Sequence, residues 1–366
     1  QALRDALEGE GGFGREMLLL DCTGNNTDFL HSFYELSSAK PYSFWNVDWD
    51  MMRPAAPGER LGRPGTREFV LDWSEGAVKP IGKNENPPDK VAAAAARVSE
   101  VGLDIETVSF VTDTAIAYNY DEPRALIIMV NLQHYVTDSR GRRLVGHRQH
   151  VLESESVRDK YAPDFELKRC RAPRKTSMEM VSSKSESELL RAVFADLREY
   201  APNWLVGHNL LAFDLKHLVG RARFLRLPEE TLRVGWIANE PLRIDERVWQ
   251  SRQRGPQMAY TVSGALGCNF VCTCDQMRRE APTGLLGYSL GECANFVLGP
   301  NVGKDPVSYD KIKPFYMTAS GRKVLAKYNA KDVTLSLDLF AAKMWASQLT
   351  AEAALNGVTV ATVINK

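Results

Sequence analysis

From residue 101 onward the chain alternates between short apolar runs and polar turns, and the period of each run predicts its element. The segment "VGLDIETVS", 101–109, has the two-residue period of a strand, with Leu103 and Ile105 on one face and Asp104 and Glu106 on the other. Apolar runs follow at 115–118 and 126–132, and the polar turn "DSRGRR" leads into a further strand near 144–152. Together these predict an antiparallel meander. A helix is predicted from Ser185, where "SESE" places Glu188 three residues later in a capping-box pattern. Its apolar face is Leu189, Leu190, Val193, Phe194 and Leu197, and Pro202 ends it. "WLVGHN" reads as a buried strand entering a glycine-containing loop, with a second helix starting around Phe213 and Asp214. A hairpin is predicted near 255–275, and a long helix over roughly 319–347. Strands, a helix, a strand and flanking helices in this order predict an α/β domain built on a mixed sheet.

Residues 1–100 differ. Turn-rich connectors, "RPAAPGERLGRPG" and "GKNENPPDK", separate short strand-like pieces such as "REFVLDW". A smaller mixed α+β N-terminal domain with long loops is expected there, its aromatic cluster "YSFWNVDW" read as a hydrophobic core patch in preference to a platform on which bases stack. The main domain is then expected over 101–345, with 346–366 as a trailing segment. At 366 residues two or three domains are the reasonable prior.

Lys+Arg and Asp+Glu balance at 46 each, so no global basic field points to nucleic acid, although a local basic groove is compatible with that balance. The longest apolar run, "ALIIMV", is too short to span a membrane, and "QALRDALEGEGG" is not a signal peptide. The missing initiator methionine suggests a processed product or an excised fragment. Six cysteines in a chain of this size suggest reduced thiols and an intracellular setting. Cys268, Cys272, Cys274 and Cys293 lack a CxxC pair, and "CNFVCTCDQM" reads as a strand with small buried thiols rather than a zinc site.

The acid pair changes the picture. Two carboxylates side by side on a half-buried strand repel each other and resist burial, and a divalent cation would offset that cost. In the C-terminal helix, Val324, Tyr328, Asp332, Leu335 and Leu339 form one stripe, so Asp332 is expected to point inward. A buried lysine or arginine partner would explain Asp332 equally well. Asp214, in "GHNLLAFDL", follows a buried strand, and a helix-terminal aspartate favoured by the macrodipole is the simpler explanation of it alone.

In order, "LDIETVS", "GHNLLAFD" and "YNAKD" resemble the three exonuclease motifs of the DEDD superfamily, in the branch with a tyrosine before the last acid. Their wording is similar to the B-family DNA polymerases, with Leu103 where phenylalanine is usual, and "GYSLGECANFVLG" resembles the segment those enzymes carry before the third motif. The resemblance covers about 101–345, and it implies a ribonuclease-H-like fold and 3′-5′ hydrolysis of DNA. By similarity, Asp104 would bridge two Mg²⁺ ions, with Mn²⁺ able to substitute. Glu106 and Asp332 would hold the ion that activates water, and Asp214 would serve the second ion. Tyr328 would orient the attacking water. Thr107, Asn209 and Phe213 would contact the terminal nucleotides, while His208 reads as scaffold. Arginines at 140, 142, 143, 169, 171, 174, 221, 223, 252 and 254 are candidate phosphate contacts, fewer than half of them expected to serve.

The palm motifs of such polymerases, "SLYPS"-like and "YGDTDS"-like, do not occur, so the expected molecule is an N-terminal plus proofreading portion of a larger polymerase. Its partners would be a frayed primer 3′ end, the palm, fingers and thumb, and processivity or replication proteins, in the nucleus or a viral replication compartment. A free-standing exonuclease trimming DNA or RNA and a catalytically silent DNA-binding module are the alternatives.

Overall fold

The computed structural model describes residues 45–47, 52–56, 69–71, 78–80, 98–110, 120–138, 140–153, 170–171, 177–235, 240–251, 255–265, 267–300, 302 and 307–364. In the N-terminal part these comprise two small antiparallel pairs. Strand β1 (Trp45–Val47) pairs with β4 (Val78–Pro80), and β2 (Met52–Pro54) with β3 (Phe69–Leu71). The expected strand at 115–118 and most of the basic loop at 168–175 lie outside the described residues.

A seven-stranded mixed sheet organises the rest. It contains β5 (Val98–Ser109), β6 (Ala125–Asp138), β7 (Gly141–Leu152), β8 (Cys170–Arg171), β9 (Ser177–Ser183), β10 (Trp204–Gly207) and β13 (Asn269–Cys272), in the order β13-β10-β5-β6-β7-β9-β8. The predicted meander is present, since β5–β6 and β6–β7 are both antiparallel. Strand β10 lies parallel to both β5 and β13, which makes the sheet mixed. Strands β11 (Arg243–Ser251) and β12 (Gly255–Ser263) form a separate long antiparallel pair, shifted towards the N-terminus from the hairpin expected near 255–275. The thiol-rich stretch splits: β13 ends at Cys272 and a helix begins at once, with Cys272, Cys274 and Cys293 buried as free thiols.

Helices cover both faces of the sheet. On one side lie α1 (Glu186–Tyr200) and α2 (Asp214–Phe224), where Leu103 and Ile105 join Leu189, Val193, Leu215 and Leu218 in one core. The start of α1 is set by Ser185, whose hydroxyl accepts the Glu188 N–H at 3.2 Å, while the Glu188 carboxylate accepts from Lys184 N rather than Ser185 N. Beneath this core, Arg221 and Glu186 form a buried ion pair, and the same guanidinium donates to the carbonyls of Tyr120 and Glu122. Glu186 also accepts from Ile127 N, so the pair ties α1, α2 and β6 together and Arg221 is not a phosphate contact.

The opposite face carries α3 (Thr273–Glu280), α4 (Leu290–Leu298), α5 (Tyr309–Tyr316), α6 (Ala319–Ala342), α7 (Trp345–Asn356) and α8 (Val360–Ile364). Val333 and Leu337 of α6 pack with Trp204, Val206 and Val271 of the sheet, and Trp345, Leu349 and Val363 extend this second core. Helix α6 is shorter than the expected 319–347, because Met344 adopts a left-handed conformation (φ 50°) and separates it from α7. Its predicted inward stripe holds for Tyr328, Asp332, Leu335 and Leu339 but fails at Val324, which is 45% exposed. Among the described residues no helix is long and apolar enough to cross a membrane.

Candidate active site

The strand period predicted for β5 is realised. A Cβ placed on Gly102 would lie 2.6 Å from both Val333 Cγ1 and Leu337 Cδ1 of α6. Farther along, Val108 packs with Leu325, Ala326 and Ala330 of the same helix. Gly102, Asp104, Glu106 and Val108 therefore share the α6-facing side, while Leu103 and Ile105 face α1 and α2. The backbones of β5 and α6 approach closely because position 102 has no side chain. A register shift between Glu106 and Thr107 skips Ile128 of β6, a bulge at the end of the acid-bearing segment.

Asp104 is half-buried and accepts a hydrogen bond from Asn329 Nδ2 at 2.6 Å, which links the first acid directly to α6. Glu106 and Asp332 are buried, at 6% and 4% exposure. Tyr328 is buried one turn before Asp332 on the same helix. Asp214 arrives by another route. Strand β10 ends at Gly207, the chain turns through Asn209 (φ 63°), and α2 begins at Asp214. Asparagine tolerates this left-handed conformation better than most residues, so Asn209 has a conformational task in the turn. The Asp214 carboxylate then reaches back to β5 and accepts Ile105 N–H at 3.0 Å. Burial pushes the Asp214 carboxyl up to about 7, opposed by the bonds from Ile105 N and its own N–H, and the Asp332 charge raises it further.

These contacts bring Asp104, Asp214 and Asp332 to the corner where β5 meets α6 and the start of α2, with Glu106 two residues farther along β5 and Tyr328 one turn back on α6. The donor set is all carboxylate and suits a hard cation such as Mg²⁺ in its chemistry. In spacing the side chains as they stand do not yet form a ligand group: among the described residues no three His, Cys, Asp or Glu side chains are close enough together to hold a metal ion.

The other expected site residues spread around this corner. Asn209 is exposed. Phe213 is partly buried, with its ring 4.4 Å from that of His217 and its edge against the α1/α2 core. Thr107 is buried and, by strand alternation, sits on the Leu103 and Ile105 side. His208 bridges Thr273 Oγ1 and Tyr288 O, both at 2.9 Å, which is the scaffold role expected for it. Several candidate arginines are engaged elsewhere: Arg142 with Glu100 and the Tyr135 ring, Arg140 and Arg143 with Asp138.

Sequence reasoning passed over the residues behind Asp104. Asn329, Gln149 and Asn131 are fully buried amides in hydrogen-bonded succession, and Gln133 joins them. The signal was present. Asn131 and Gln133 interrupt the apolar strand "IIMVNLQHYV" at alternate positions, as Asp104 and Glu106 interrupt β5.

A mixed sheet with helices on both faces and acids collected at the end of one strand is the architecture of a ribonuclease-H-like exonuclease domain. Residues 77–257 match the family described as "DNA polymerase family B, exonuclease domain", and this segment of the chain belongs to that family. The DNA polymerase delta catalytic subunit of Oryza sativa subsp. japonica is 26% identical over 190 residues, which cover 52% of this chain and 17% of that protein. The DNA polymerase of guinea pig cytomegalovirus (strain 22122) is 30% identical over 160 residues, covering 43% and 14% respectively. The chain thus matches about a sixth of the length of these curated relatives. The solved structure of the family B DNA polymerase from the hyperthermophilic archaeon Pyrobaculum calidifontis superposes with a TM-score of 0.54 at 16% identity, over 92% of this chain and 33% of that one. That likeness extends the shared fold well beyond the family segment.

Proposed function

We propose that this chain is the 3′-5′ proofreading exonuclease portion of a B-family DNA polymerase, removing nucleoside monophosphates from a primer 3′ end. The carrying observation is that three separate elements, β5, α2 and α6, deliver one carboxylate or more to a single corner while a tyrosine stands one turn from the last of them. A metal-free ribonuclease mechanism would call for histidines there, and the corner has none among the assigned residues.

Asp104, Glu106, Asp214 and Asp332 would hold two divalent ions, Mg²⁺ or Mn²⁺. Such ions, when bound, stabilise charge on the attacking and leaving oxygens of a phosphodiester. The chain's own residues do the rest. Burial of Glu106 and Asp332 excludes bulk water from one side of the corner. The Tyr328 hydroxyl orients the attacking water by hydrogen bonding, since an ordinary phenol titrates near 10 and is a poor base at neutral pH. The exposed Asn209 and the half-buried Phe213 line the approach for the last nucleotides, and Thr107 contributes its backbone. On this reading the portion edits rather than polymerises, with the palm, fingers, thumb and processivity proteins as partners.

The test is digestion of 5′-labelled single-stranded DNA by the purified chain with Mg²⁺ or Mn²⁺. A descending ladder with mononucleotide release is expected, and Asp104→Ala or Asp332→Ala should lower the rate at least ~100-fold without loss of fold. Wild-type rates in either variant would sink the metal assignment. Absence of any metal-dependent cleavage by the wild-type chain would favour the silent DNA-binding module.

A further inference from the structure

Behind Asp104 lies a run of buried amides that crosses three elements. Asn329 Nδ2 on α6 donates to Asp104 Oδ2 at 2.6 Å. Its Oδ1 accepts from Gln149 Nε2 on β7 at 2.9 Å. Gln149 Oε1 accepts from Asn131 Nδ2 on β6 at 2.8 Å, and Asn131 Oδ1 accepts from Gln133 Nε2 at 3.3 Å. Gln133 also donates to Ala330 O at 2.7 Å and meets Thr334 Oγ1, so the β6 end grips the α6 backbone next to Asn329. His147 Nε2 stands 3.1 Å from Asn131 Nδ2 and closes the run as an acceptor. Asn131, Gln149 and Asn329 are each 0% exposed and Gln133 2%.

The direction of every bond is dictated by its first member. An ionised carboxylate only accepts, so Asn329 presents its NH₂ to Asp104 and its carbonyl to Gln149. Gln149 then presents NH₂ to Asn329 and its carbonyl to Asn131, and so on back to the sheet. Reversing any one amide would set donor against donor or acceptor against acceptor in a site without solvent. A single arrangement satisfies the whole set.

Resting on the exonuclease reading above, we propose that Asn329 is a positioning residue that fixes the carboxylate of Asp104, and that Gln149 and Asn131 fix Asn329. The strand supplies the place of Asp104, whereas the amide run supplies the direction of its oxygens. A merely structural role is the competing explanation, in which the amides only satisfy one another beneath α6.

The two are separated by Asn329→Ala, Gln149→Met and Thr334→Val, measured for Mn²⁺ binding by electron paramagnetic resonance, for thermal midpoint in EDTA, and for kcat and KM on single-stranded DNA. Asn329→Ala and Gln149→Met should weaken Mn²⁺ binding by ~10-fold or more and lower kcat, with KM changed less than ~2-fold. Thr334→Val, which touches Gln133 but lies off the path from Gln149 to Asp104, should lower the thermal midpoint with Mn²⁺ affinity unchanged. Wild-type Mn²⁺ affinity and kcat in Asn329→Ala and Gln149→Met, with only the midpoint lowered, would overturn the proposal. Should Asn329→Ala fail to fold, Gln149→Met decides, since it preserves volume and lies one bond farther from Asp104. A wild-type chain that binds Mn²⁺ but cleaves nothing defeats the exonuclease reading alone, and the Mn²⁺ isotherms of the variants still judge the positioning role. A wild-type chain that binds no Mn²⁺ overturns both.

Discussion

Replacing Gly102 with alanine tests whether the close approach of β5 and α6 sets the geometry of the corner. The added Cβ would stand 2.6 Å from Val333 Cγ1 and from Leu337 Cδ1, and 2.7 Å from Leu337 Cγ. Ordinary contact begins at 3.4 Å, so about 0.8 Å must be found between strand and helix. Neither neighbour can yield easily, because Val333 and Leu337 are both 0% exposed and Val333 is stiff at χ1. Overpacking of this kind costs about 1–3 kcal/mol, or a drop of roughly 2–10 °C in the midpoint of a domain this size. Asp332 and Asn329 lie within the same two turns of α6, so lifting the helix by most of an ångström also separates Asp332 and Tyr328 from Asp104. Misplacement of about that size can lower a rate ~10²-fold. The assays are thermal unfolding in EDTA and exonuclease rate on single-stranded DNA. A cycle with Leu337→Ala supplies the physical control: the two costs should fall short of additive, since truncating Leu337 removes two of the three clashing atoms. Wild-type midpoint and rate in Gly102→Ala, or strict additivity in the cycle, would refute the role given to this contact.

Three further outcomes follow from the same geometry. The folded Asp214 carboxyl is raised above its unfolded value, so its contribution to stability is full below about pH 4 and is lost as pH rises towards 7; Asp214→Asn, which can still accept from Ile105 N, should raise the melting midpoint in EDTA at pH 8 while abolishing cleavage, and an unchanged or lower midpoint counts against it. His147 runs the other way, because burial lowers it to about 4 from 6.5, so the unfolded chain takes up the proton first and stability falls by up to about 3 kcal/mol as pH drops through that window; His147→Gln should flatten this part of the pH–stability curve, and single-site variants are needed because the Asp214 slope has the opposite sign. Arg221→Met strands the Glu186 carboxylate and frees the Tyr120 and Glu122 carbonyls, so a loss of about 3–5 kcal/mol is expected by chemical denaturation, and a loss under 1 kcal/mol would show that the pair is relaxed by water.

Local periodicity carried much of the fold. Alternation along β5 was enough to place Asp104 and Glu106 on one face, and the Ser185 cap and the apolar face of α1 were legible because each depends on residues within one or two turns. Where the expectation slipped, a tertiary cause is visible. Val324 falls on the apolar stripe of α6 yet is exposed together with Lys323 and Lys327, while Gly321, Arg322, Leu325 and Ala326 are buried, so in this part of the helix the covered face lies to one side of the stripe. The hairpin is displaced from its expected place because, among the described residues, β11 and β12 pair only with each other, and their contact with the core is confined to partly buried side chains such as Ile244, Tyr260 and Val262. Arg221 resembled any other arginine between motifs, since nothing near it in sequence names Glu186, 35 residues away.

Which acids to compare was legible in the sequence: three short motifs in order, similar to those of the exonuclease family, single out Asp104, Glu106, Asp214 and Asp332. What only the tertiary structure decided is how each is held. Ile105 N–H on Asp214, Asn329 on Asp104 and the glycine contact beneath α6 join residues 109, 225 and more than 230 positions apart. Such contacts arise only when the sheet is assembled and the amides of β6 and β7 lose water together. A one-dimensional pattern can show that a polar residue is buried, but the partner that satisfies it is chosen by packing.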